Sequence, residues 1–140
     1  MTYLRTISIA FALSLAVVAP AAAQDFQRGL DAAQRGDFAT ALREWRPLAE
    51  QGNADAQSFL GAMYHEGEGL PQDFTEAVRW YRLAAVQGDA FAQHNLGFMY
   101  AKGQGVAQDE REAAGWYYLA AVQGLAAAQY KMGSISETGQ

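Results

Sequence analysis

The sequence predicts an all-α chain, a solenoid of stacked antiparallel helix hairpins, and three observations predict it. The stretch from Ala54 to Asp89, ADAQSFLGAMYHEGEGLPQDFTEAVRWYRLAAVQGD, returns from Ala90 at an interval of 36 residues. The copies agree at Ala56/Ala92, Gln57/Gln93, Leu60/Leu96, Gly61/Gly97, Met63/Met99, Tyr64/Tyr100, Trp80/Trp116 and Tyr81/Tyr117, and the run LAAVQG at Leu83–Gly88 recurs whole at Leu119–Gly124. A period of this length marks a repeat array. Within each copy the apolar residues fall three and four apart, as one face of a helix requires, and glycines divide the copy into two such stretches.

Taken in order, Met1 to Ala23 reads as a secretory signal peptide. It has one basic residue, Arg5, an apolar run from Ile7 to Val18, then Pro20 and the small residues Ala21, Ala22 and Ala23 before the expected cut. The run is about a dozen residues, short of the roughly 20 that cross a hydrocarbon layer. A retained N-terminal anchor is the other reading of this segment. Export to the periplasm or out of the cell follows from the leader, and without any cysteine neither a disulfide framework nor a lipidated cysteine is available.

Residues 24–53 form an N-terminal helix pair. The first helix runs through Phe26, Leu30 and Ala33 to Gly36; Asp37 caps a second from Phe38 to Glu50, with Ala41, Trp45, Leu48 and Ala49 on one stripe. A shift of 36 puts Ala41 on Ala77, Trp45 on Tyr81 and Ala49 on Ala85, so this is the same second helix after a shorter connection. The pair is a variant repeat, as a solenoid cap is. Residues 54–89 and 90–125 are full repeats. In each, a first helix presents Ala56, Leu60, Met63 and Tyr64 or their counterparts. A second starts at Asp73 or Asp109 with a capping box closed by Glu76 or Glu112. Ala77, Trp80, Tyr81 and Ala84 form the buried stripe of the second helix, Gly88 takes the left-handed position after it, and small residues such as Gly61 allow close helix approach. Residues 126–140 supply a first helix only. That helix either caps the array or begins a longer one, and its apolar Tyr130, Met132 and Ile135 leave a face for weak self-association.

The pattern AxAQxxLGxMYxxGxGxxxDxxEAxxWYxLAAxQG, present twice, resembles the Sel1-like repeat, a relative of the tetratricopeptide repeat. The segment GLDAAQRGDFATALREWRPLAEQG is more similar to an ordinary tetratricopeptide repeat. The resemblance implies a right-handed α-solenoid that binds proteins or peptides as an adaptor or regulator, and in exported bacterial members a periplasmic or secreted interaction module. Positions identical between copies are read as packing and turns. Candidate contacts are first-helix positions that change while keeping one face: Asp55/Phe91/Ala127, Ser58/His94/Tyr130 and Ala62/Phe98/Ser134, with His65 one turn on. By similarity to tetratricopeptide proteins this stripe lines the concave groove, where Phe91, His94, Phe98 and Tyr130 form an aromatic centre for an apolar side chain. The other reading makes Phe91 and Phe98 core residues.

Other chemistries find little support. A formal charge of −5 with scattered cations lacks the basic footprint of nucleic-acid or anionic-membrane binding. His65-Glu66 has Gly69 where a zinc-protease helix needs its second histidine, and Gly67-Glu68-Gly69 and Gly103-Gln104-Gly105 follow no strand and precede no phosphate-loop lysine. A Ser-x-x-Lys motif is absent. Arg79, Arg82 and Arg111 are expected to pair with Glu76, Glu112 and neighbours. The expectation is therefore a non-enzymatic module with a protein or peptide partner and neither cofactor nor metal. The alternatives are an envelope enzyme or glycan binder using Glu66/Glu68 or Asp109/Glu110/Glu112, and a truncated array without independent function.

Overall fold

The computed structural model describes Ala23 and residues 25–124. Within them lie six helices and no strand: α1 (25–34), α2 (Phe38–Glu50), α3 (Ala54–Glu66), α4 (Phe74–Val86), α5 (Ala90–Lys102) and α6 (Glu110–Ala121). The signal peptide and the partial repeat at 126–140 lie outside the described residues, Ala23 excepted. Helix α3 packs on α4 and α5 on α6 as hairpins. Helices α2 and α4 each pack also on the first helix of the following hairpin, and α3 touches α5. First helices form one layer and second helices the other, the solenoid arrangement of stacked hairpins. No described helix is long and apolar enough to cross a membrane.

Each helix from α2 on starts at an acid or amide that accepts a main-chain N–H of the first turn. The expected caps Asp37, Asp73 and Asp109 accept from Thr40 (3.1 Å), Glu76 (3.1 Å) and Glu112 (3.2 Å). Asn53 and Asp89, which close the preceding repeats in the sequence reading, do the same for α3 and α5. The reciprocal half of the expected capping box is not made. The Asp73 N–H donates to the Tyr64 carbonyl and the Asp109 N–H to the Tyr100 carbonyl, both at 2.9 Å, and the Glu76 carboxylate turns to Arg79 at 3.0 Å. The donors that a capping-box glutamate would satisfy are thus already used to tie each second helix to its own first helix. Helices α3 and α5 end on Gly67 (φ +72°) and Gly103 (φ +69°), whose left-handed backbone reverses the chain at little steric expense. Gly88 follows α4 with φ +99°, as its place in the repeat predicts.

The core is a succession of aromatic rings laid on glycines. Trp45, Tyr81 and Tyr117, one per second helix, are all buried. A Cβ added to Gly29, Gly61 or Gly97 would come within 2.2 Å of Trp45, 2.7 Å of Tyr81 or 3.0 Å of Tyr117. A first-helix glycine thus gives the ring of its own hairpin the space to lie flat between the layers. Burial pushes the Tyr81 phenol above its ordinary range and that of Tyr117 up to about 12, so both rings stay neutral at physiological pH.

Two buried glutamines bind one hairpin to the next. Gln57 Nε2 donates to the Ala49 carbonyl (3.1 Å) while its Oε1 accepts from Gln87 Nε2 (2.8 Å). Gln93 repeats both bonds with Ala85 (3.1 Å) and Gln123 (2.8 Å). Each amide therefore holds the C-terminal ends of two successive second helices. Arg79 pairs with Glu76 as expected, but Arg82 donates to the Tyr100 hydroxyl instead of joining a carboxylate, repeating the Arg46–Tyr64 contact at 3.3 Å in the preceding hairpin.

Candidate functional site

Gln57 and Gln93 point at the second-helix layer, so the helical period fixes what faces the other way. In α3 these are residues 55, 59, 62 and 66, and in α5 residues 91, 95, 98 and 102. The changing stripe of the sequence overlaps this face without coinciding with it. Asp55 and Phe91 are exposed on it, Phe91 to 48% with its ring centre 6.5 Å from that of Tyr81. Ala62 and Phe98 are partly buried there. Ser58 is not on the surface: only 3% exposed, its hydroxyl donates to Asp89 Oδ1 at 3.3 Å, the same oxygen that caps α5. It is a joint between hairpins, which removes it as a groove contact. His94, which takes the place of Ser58 in the next repeat, has its ring centre 5.4 Å from that of Tyr117. Tyr130 and Ser134 lie outside the described residues.

His65 and Phe98 do meet. The His65 ring sits 6.3 Å from Phe98 and 5.3 Å from Phe74. Its nitrogens lie 2.9 Å from Glu66 Oε1 and 3.1 Å from Gln104 Oε1, and Lys102 Nζ stands 5.9 Å over the Phe98 ring. Residues 39 apart in sequence thereby join α3, α5 and the loop after α5. The cluster offers an apolar centre, one cation and one carboxylate, enough to fix the direction of a bound peptide.

A second feature escapes the sequence reading. Between α1 and α3 a cleft of about 370 Å³ is lined by Leu30, Ala33, Gln34, Phe38, Trp45, Phe59, Ala62, Met63 and Glu68. Phe59 stacks on Trp45 at 4.8 Å, and Phe26 closes the group at 6.1 Å from Trp45 and 5.9 Å from Phe59. Phe59 corresponds to Asn95 and Lys131 in the later copies, so it is as changeable as the residues singled out and lies squarely on the exposed face. That signal was available in the repeat register. Leu30, Ala33 and Gln34 were harder to find, because the variant hairpin aligns to the repeat only through its second helix.

The carboxylates considered for acid/base chemistry are distributed along the array. Glu66 engages His65, Asp109 caps α6, and Glu68 stands at the cleft rim. Among the described residues no group of three or more His, Cys, Asp or Glu is placed to hold a metal ion.

Comparisons with known proteins agree with this architecture. The Sel1 repeat model matches residues 54–89, 90–125 and 126–140. Among solved structures, a Sel1 repeat protein from Oxalobacter formigenes is 36% identical with a TM-score of 0.76, over 79% of this chain and 46% of that one. The protective antigen c5321 of uropathogenic Escherichia coli strains, which displays an SLR fold, is 37% identical with a TM-score of 0.80, over 91% of this chain and 28% of that one. The chain thus spans less than half the length of either protein. Cysteine rich protein B of Helicobacter pylori shares the fold at 20% identity and a TM-score of 0.60, over 76% of this chain and 91% of that one, although the present chain has no cysteine. No curated protein sequence matches the chain. With the repeat model covering residues 54–140 and hairpin stacking present throughout the described residues, the chain belongs to the Sel1 repeat family.

Proposed function

We propose that this chain is an exported, non-enzymatic protein- or peptide-binding module whose ligand lies along the first-helix face. The observation that carries the reading is the cleft between α1 and α3, continued along the same face by Phe91 and by the His65–Phe98 cluster. A mostly apolar hollow of this size accepts one or two side chains of an extended or helical segment, and polar groups at its rim set the register. The partner segment therefore carries an apolar anchor. Glu68 beside the cleft favours a basic neighbour to that anchor.

Selection from a random peptide library on the folded chain tests the site. Enriched peptides are expected to share an apolar or aromatic anchor and to lose at least tenfold in affinity, about 1.4 kcal/mol, when Ala62→Arg fills the cleft. Val86→Ala, on the opposite layer, serves as the control. Peptides that bind Ala62→Arg as well as the parent would refute the groove assignment. The export half of the proposal has its own readout. Expressed in a Gram-negative host, the chain is expected in the periplasm or medium with an N-terminus at Gln24. Intact mass spectrometry of a cytoplasmic, uncleaved product would count against it.

A further inference from the structure

Among the described residues the two joints between successive hairpins are built from corresponding positions, and the chain itself fills one of them. Gly29 and Gly61 each lie against the ring of their own hairpin, Trp45 and Tyr81. That sets α1 in register with α3 and puts Ala33 in the place of His65, each four residues past its glycine. Gly69 rests on Phe38 as Gly105 rests on Phe74, and the 36-residue interval matches Ala62 with Phe98 and Glu68 with Gln104. The cleft between α1 and α3 is therefore the counterpart of the place between α3 and α5 where His65 stands.

In the filled joint the His65 ring lies 5.3 Å from Phe74 and 6.3 Å from Phe98, with Nε2 3.1 Å from Gln104 Oε1. An imidazole and a phenyl thus meet under an acceptor on the loop. In the open joint the methyl groups of Ala33 and Ala62 replace both rings, while the aromatic wall, Phe38, and an acceptor on the loop are kept. Phe59, larger than its counterpart Asn95, does not make good the loss: it stacks on Trp45 at 4.8 Å, and about 370 Å³ stays open. The acceptor differs as well, since Glu68 offers a carboxylate where Gln104 offers an amide, and a charged acceptor makes the stronger bond.

We infer, taking the cleft as the ligand site of the function proposed above, that it receives the indole of a tryptophan on the partner segment. Tryptophan alone among the natural side chains fuses an N–H-bearing five-membered ring to a benzene ring, the two kinds of ring that this joint lacks. Its benzene ring takes the place of the Phe98 phenyl beside Ala62, and its five-membered ring that of the His65 imidazole against Phe38. The indole N–H, which needs an acceptor once buried, donates to Glu68 and leaves the second carboxylate oxygen to a basic neighbour of the anchor.

Blocked pentapeptides carrying a central tryptophan, indole-N-methylated tryptophan or leucine between alanines, titrated into the folded chain by two-dimensional NMR, test the assignment. The tryptophan peptide is expected to bind about tenfold more tightly than the leucine peptide, with shifts at Ala33, Ala62 and Glu68. N-methylation, and Glu68→Ala on its exposed loop, should each weaken it about fivefold. Ala33→His with Ala62→Phe copies the filled joint and should abolish binding with helicity kept. The reverse pair, His65→Ala with Phe98→Ala, should open a second site for the same peptide between α3 and α5. Leucine bound as tightly as tryptophan overturns the inference. So does a tryptophan peptide indifferent to both Glu68→Ala and the Ala33/Ala62 pair, or one that does not bind at all. In each case, library peptides that Ala62→Arg still displaces would leave the groove standing with a different anchor, whereas their failure would remove the groove too.

Discussion

Alanine at Tyr81 is expected to destabilise the fold by about 3–5 kcal/mol, the range for truncating a large buried aromatic. The ring is buried, lies against Gly61 of its own hairpin and reaches Phe91 of the next. Its removal opens a hollow among α3, α4 and α5 that the adjoining backbone cannot close. Gly61→Ala presses on the same contact from the other side, since the new Cβ would stand 2.7 Å from the ring, and about 1–3 kcal/mol of overpacking follows. The pair makes the expectation sharp. In the double variant the collision no longer exists, so the two losses should sum to clearly more than the measured whole. Urea unfolding of the three variants checks this, and simple additivity would show that ring and glycine do not interlock.

The second large effect is expected at Gln93. Replacement by leucine removes the bonds of the Gln93 amide to the Ala85 carbonyl and the Gln123 amide, at 3.1 and 2.8 Å. The carbonyl keeps the Gly88 N–H at 3.0 Å and Gln123 is exposed, so the loss is that of the bonds themselves, about 0.5–1.5 kcal/mol each. A total near 1–3 kcal/mol is expected. Asn95, two residues on, only turns its amide back to the Phe91 carbonyl at 2.8 Å, and Asn95→Leu should stay within about 0.5 kcal/mol. Thermal or urea unfolding decides, and a Gln93→Leu protein as stable as the parent would mean that the amide is not a tie between hairpins.

These two residues also show what the sequence could and could not say. Tyr81 and its glycine were legible as members of a repeated buried stripe and a close-approach position, because helical spacing alone places them. Gln93 was visible as a repeated letter but not as a bridge, since its partner Gln123 lies 30 residues away and side-chain pairing at that distance leaves no local pattern. The candidate stripe was legible in part: Asp55, Phe91, Ala62 and Phe98 share the first-helix face and Ser58 does not. Change between copies was taken as a sign of ligand contact. Ser58 changes between copies, yet it is buried against Asp89. Phe59 changes just as much and does reach the cleft. Leu83 and Val86 repeat identically and are nonetheless exposed. Variation within a repeat array therefore separates the copies' surroundings before it separates scaffold from surface.

The second glycine of each inter-helix loop has a wider consequence. A Cβ on Gly105 would meet the Phe74 carbonyl at 2.4 Å and the Thr75 nitrogen at 2.9 Å, and one on Gly69 would stand 3.0 Å from the Phe38 carbonyl. At both joints the loop of one hairpin rests directly on the main chain at the start of the preceding hairpin's second helix. The pitch of the array is thereby gauged in part by peptide groups and not by side chains alone. Curvature of a solenoid is the sum of its small per-repeat rotations, and a gauge made of backbone keeps that rotation constant whatever residues face the ligand. Such a chain can exchange its binding chemistry position by position without bending differently.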